Sequence, residues 1–124
     1  MSATEPGADV LVAHARRALH PSAGWGPAWP RAAAFLARQA LEDAVRSAWH
    51  GSAYQMRGCN MAAQLVSLPF YLGDRDLARR VRECWYSLSN ACHAHPYELA
   101  PTVAELEGWL EVVEQLVSFL NRRS

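Results

Sequence analysis

Between Leu88 and Leu106 the chain reads LSNACHAHPYELAPTVAEL, which puts Cys92, His93, His95, Tyr97 and Glu98 within seven residues of one another. Three kinds of chemistry could use these types. A cysteine beside a histidine can become a thiolate nucleophile. Here, however, no third residue is placed to orient the pair, and Cys92 falls on the flank of an apolar stripe with Trp85 and Leu88, so a buried, inert thiol is expected. A His-x-His pair can also chelate a metal. Helical ligands converge at spacings of three or four, whereas His93 and His95 stand two apart and should diverge. Even with Cys92 or Glu98 added, no metal site is expected, and no motif asks for a cofactor. A histidine can finally act as a general acid or base, and His93 and His95 are the candidates for that role.

Positioning falls to the elements around this segment. His95 precedes Pro96, whose ring disfavours helical geometry in the residue before it, so a helix should end at or near His95. His95 would then lie on the stripe of Leu88 and Ala91, and His93 on a different line with Ser89, Tyr86 and Arg82. Upstream, Leu77, Val81, Cys84, Leu88 and Ala91 alternate steps of four and three, the pattern of a helix with one buried face. Downstream, Thr102 and Glu105 form the Thr-x-x-Glu capping box of a last helix whose stripe is Leu106, Leu110, Val113, Val117 and Leu120. Three helices precede these two. The first runs from Val10 to His20, with Asp9 as its cap and Leu11, Ala15, Ala18 and Leu19 inward. The second starts at Pro30 and stops before Gly51, with Ala33, Ala37, Ala40, Leu41, Ala44, Ala48 and Trp49 inward and Arg38, Glu42 and Arg46 on a solvated outer face. The third covers Met61 to Leu72 and should be kinked or restarted at Pro69, with Gly73 ending it and Asp74 capping the fourth. GSAYQMRG is expected to be a turn, and Trp25 and Trp29 belong to a Gly/Pro loop folded over the end of the core. The fold class expected is all-α: a single five-helix up-and-down bundle over residues 9–124, with a flexible N-terminal tail over residues 1–8.

Composition narrows the partners. Twelve basic and twelve acidic residues give zero formal charge, which removes the long-range attraction on which RNA and anionic-membrane binders depend. All the basic residues are arginine, and the absence of both lysine and isoleucine is better explained by genome composition than by phosphate recognition. Cys59, Cys84 and Cys92 are an odd count, and MSATEPGADV lacks the basic and apolar regions of a secretory signal, so a cytoplasmic protein without disulfides is expected. No apolar stretch reaches the roughly 20 residues of a membrane span.

The helical pattern, together with the string Ala37-Arg38-Gln39-Ala40-Leu41-Glu42, resembles the HEPN family of small all-helical domains over roughly Val10 to Leu120. The resemblance implies a four- or five-helix bundle that dimerises. In catalytically active members, which are metal-independent ribonucleases, an arginine precedes a histidine by four to six residues, often with a polar residue directly after it. Here His93 or His95 matches the histidine and Asn90 a polar position, but the arginine is missing. Arg82 precedes His93 by eleven residues, roughly 16 Å along an α-helix, so it could serve only in trans, from a second protomer.

Three functions are therefore expected, in order. The first is a non-catalytic module acting through protein–protein contacts with an unidentified protein partner or as a homodimer, since five tryptophans exceed what a core of this size needs and some could belong to an interface. The second is a HEPN-like ribonuclease using His93 or His95 with Arg82 of a second copy. The third is a small-ligand-binding bundle with a pocket between the third, fourth and fifth helices, lined by Tyr71, Trp85, Tyr97 and Trp109.

Overall fold

A computed structural model describes residues 7–20, 24, 26–93 and 99–123. Within them the chain is all-helical, with α1 at Ala8–Ala18, α2 at Trp29–Ala48, α3 at Met61–Leu72, α4 at Arg75–Cys92 and α5 at Val103–Arg123. Gly51–Gly58 adds an eight-residue 3-10 helix and Gly26–Ala28 a single 3-10 turn. The expected count of five helices is thus short by the GSAYQMRG segment, which is helical and not a simple turn. No helix among the described residues is long and apolar enough to cross a membrane.

α2 is the central element and packs against each of the other four α-helices. Its inner stripe explains this role. Ala33, Ala37, Ala40, Ala44 and Ala48 are all buried, and side chains this small let several neighbouring backbones approach one helix. The neighbours supply the bulk, with Leu65, Leu68, Leu72, Leu88, Leu106, Leu110 and Leu116 joining Leu41 and Val45 in one hydrophobic cluster that draws on all five helices. Burial of each such leucine is worth about 1.5–3 kcal/mol. At α3, of the two outcomes expected at Pro69, the restart does not occur: one helix runs through it to Leu72. Proline removes one intrahelical bond, but Leu65, Leu68 and Leu72 are held in the core on either side of it, and Arg123 Nη1 donates to the Leu72 carbonyl at 2.8 Å. Gly73 at φ +80° ends α3, and the Asp74 carboxylate accepts from the Leu77 N–H at 3.0 Å to start α4, both as the sequence predicts.

Three expected boundaries move, since α1 closes at Ala18 instead of His20 besides the two shifts that follow. α1 begins at Ala8 after a Gly7 cap that makes no side-chain hydrogen bond, so Asp9 lies inside the first turn instead of capping it. Ala8 is buried and belongs to the helix, which shortens the expected tail; residues 1–6 lie outside the described residues. α4 ends at Cys92, three residues before His95, because His93 already has extended backbone (φ −84°, ψ 136°) with its N–H bonded to the Asn90 carbonyl. The steric influence of Pro96 reaches only the residue before it; the helix has tightened and ended sooner.

Candidate functional site

The described end of α4, the first turn of α2 and the start of α5 enclose a groove of about 680 Å³. Each wall follows from a local sequence rule. Pro27, Ala28 and Pro30 bring the chain into the first turn of α2, where proline's missing N–H costs nothing. Arg31 stands on that turn. Asn90 and Ala91 come from the last turn of α4 and His93 from the residue after it. The third wall is the α5 start, fixed by a complete capping box: Glu105 N–H donates to Thr102 Oγ1 at 3.1 Å, and Glu105 Oε1 accepts from the Thr102 N–H at 3.1 Å and from its hydroxyl at 3.2 Å. Trp109, one turn further on, is half-buried against the core and also lines the groove.

The groove gathers some expected site residues and leaves others out. His93 lines it beside Ser87, Asn90 and Ala91, away from the Ser89–Tyr86–Arg82 line predicted for it, because it has left the helix. Arg82 is exposed and lies over the Tyr86 ring at 6.0 Å; it does not line the groove. Arg31 does. This residue is not singled out by the sequence, since α2's arginines look alike until the bundle places one of them in the same groove as His93. Of the expected ligand-pocket aromatics, Trp109 alone among the described residues lines this groove. Tyr71 packs on Trp49 at 4.7 Å, with its hydroxyl 3.4 Å from both the backbone N and O of His50. Trp85 donates through Nε1 to Glu42 Oε2 at 2.9 Å. His95, Tyr97, Glu98 and Trp25 lie outside the described residues. No group of three or more metal-ligating side chains occurs among the described residues.

The outer face of α2 also differs from expectation. Glu42 is not part of a solvated ladder: its side chain is 17% exposed and accepts from Arg38 Nε at 3.1 Å and from Trp85, with Arg46 at 3.5 Å. A carboxylate so far withdrawn from water needs these donors. Cys92, predicted to be buried, is half-buried near the same cluster. Burial raises its thiol above the usual range while the Arg38 charge and hydrogen bond pull the other way. Cys84, inside the core, is pushed up to about 12 by burial alone. Its folded form keeps its proton after the unfolded thiol ionises near 9.0, so stability should fall as pH rises from about 9 to about 12. Titration of the native protein with a chromogenic disulfide should therefore show Cys59 reacting fast, Cys92 slowly and Cys84 only after denaturant is added. Rapid labelling of Cys84 in the native state would contradict this packing.

Comparison with known proteins finds no matching family model, no matching curated protein and no matching solved structure.

Proposed function

We propose that this protein is a non-catalytic helical module that acts through protein–protein contacts and pairs with a second copy of itself. The observation that carries the proposal is the outer face of α3. The sequence of this helix, MAAQLVSLPFYL, contains no charged residue. A helix apolar all round belongs in an interior. Yet Ala62, Val66 and Phe70, spaced four apart, are all exposed, Phe70 by 82% and Val66 by 60%. The described tryptophans are not on this face: Trp49 is buried, and Trp29, Trp85 and Trp109 are packed partly into the core. A second copy suits the face because its order is small, medium, large. Two antiparallel α3 helices related by a two-fold axis at Val66 would set each Ala62 against the other copy's Phe70. Sedimentation at micromolar concentration tests this, with a dimer expected and a strict monomer overturning it.

Ribonuclease activity, which the HEPN resemblance implies, is the competing function. Its support is that Arg31 and His93 line one groove, so an arginine could be supplied within a single protomer. Against it stand the Glu105 carboxylate in the same groove and the zero formal charge, both unfavourable to a polyanion. Purified protein incubated with single-stranded RNA in chelator should leave the RNA intact. Cleavage that disappears in both Arg31→Ala and His93→Ala would replace the non-catalytic proposal.

A further inference from the structure

The groove carries two charges of opposite sign that do not neutralise each other. Arg31 makes no hydrogen bond or ion pair with any described residue, although the chain pairs Arg16 with Glu114, Arg38 and Arg46 with Glu42, and Arg79 and Arg80 with Asp76. Glu105 spends Oε1 on the capping box and leaves Oε2 without a partner. The first turn of α2, which bears Arg31, contains no acidic residue to offset its positive end. The last turn of α4, which lines the groove through Asn90 and Ala91, has no basic residue of its own, and the Arg38 and Arg31 guanidiniums of α2 act on its last residue, Cys92. Much of the remaining lining is apolar, with Pro27, Pro30, Ala91, Pro101 and Trp109, and Ser87, Asn90, His93 and Thr102 add polar groups.

We infer that this groove binds a small zwitterion with an apolar body, of the size of an amino acid or dipeptide, its carboxylate on Arg31 and its ammonium on Glu105. Three features fit that class. A guanidinium forks onto a carboxylate with two parallel hydrogen bonds, which an ammonium side chain could not do. The space of about 680 Å³ lies within the range of small-molecule sites and is too large to be filled by one or two ordered waters. A ligand with only one charge would leave the other pole unmatched, and a polyanion such as RNA would be repelled by Glu105.

The test uses the full chain and three probes: the dipeptide Ala-Phe, its N-acetyl derivative, which lacks the ammonium, and its C-terminal amide, which lacks the carboxylate. Calorimetry and amide chemical shifts should show the free dipeptide binding, with shifts centred on Ser87, Asn90 and the Trp109 indole. Each derivative should bind about tenfold more weakly, the usual effect of losing one charge-assisted contact. In Arg31→Gln the dipeptide and its amide should bind alike. In Glu105→Gln, which keeps the capping box because glutamine serves at that position, the dipeptide and its N-acetyl form should bind alike. No binding by the free dipeptide at about 10 mM, well above the weak end of specific recognition, would overturn the inference. So would a preference for both free termini that survives in both variants.

Discussion

Replacing Trp49 with alanine should lower folding stability by about 3–5 kcal/mol, the usual cost of deleting a fully buried large aromatic side chain. That is a large share of the roughly 5–15 kcal/mol available to a domain of this kind. Trp49 is 1% exposed and sits just past the end of α2, where it fastens two other segments. Its Nε1 donates to Gln64 Oε1 at 3.0 Å, and Gln64 Nε2 donates to the Cys59 carbonyl at 2.8 Å, so the one buried polar side chain of the described core joins α2, the loop before α3 and α3 itself. The Tyr71 ring lies 4.7 Å away, and Arg57 Nε donates to the Trp49 carbonyl at 3.1 Å. Truncation therefore opens a cavity and strands the Gln64 amide oxygen in an apolar setting. Trp49→Phe separates the two effects. It keeps most of the packing, loses the hydrogen bond and should cost about 1–3 kcal/mol. Urea unfolding followed by circular dichroism gives both values from the midpoints at constant slope. A loss below about 1 kcal/mol for Trp49→Ala would show that the residue is not the buried, bonded node described.

What the sequence made legible follows from how local each cause is. The α2 stripe, the Gly73–Asp74 boundary and the Thr102–Glu105 box depend on side-chain periodicity or on hydrogen bonds spanning three residues, and each was found where the pattern put it. Causes that act between helices were not legible. Glu42 lies on what looks like an exposed i, i+4 ladder, and only the approach of α4 with Trp85 withdraws it from water. Arg31 and Glu105 are 74 positions apart and become a pair of poles only when α2 and α5 are set beside the end of α4. Nothing local in the sequence marks Gln64 as buried or Trp49 as its hydrogen-bond partner 15 positions away. The α3 face failed for another reason. A run apolar on all sides gives no contrast between an inner and an outer stripe, so the sequence could not single out Val66 and Phe70 as the exposed pair.

That face carries the other large prediction. Val66→Glu and Phe70→Glu should each convert the proposed dimer to a monomer, with an increase in the dissociation constant of at least about 100-fold, because pairing would bury an unpartnered carboxylate at a cost of about 3 kcal/mol or more. The geometry makes the two substitutions informative in different ways. Val66 lies at the proposed two-fold axis, where each copy meets its own counterpart, so Val66→Glu brings two like charges face to face. Phe70 fills the space above the other copy's Ala62, and Phe70→Ala should weaken pairing by removing contact without adding charge. Ala62→Phe should weaken it too, by occupying that space from the other side. Both side chains replaced by glutamate are already exposed in the single chain, so neither variant should shift the unfolding midpoint extrapolated to low protein concentration, where association no longer contributes. Sedimentation of the four variants beside the parent chain then separates the alternatives. If the glutamate variants dissociate while Phe70→Ala and Ala62→Phe stay fully paired, α3 lies in the interface but not in antiparallel register. If all four variants pair as the parent does, the contact surface lies elsewhere on the bundle and the α3 proposal is wrong.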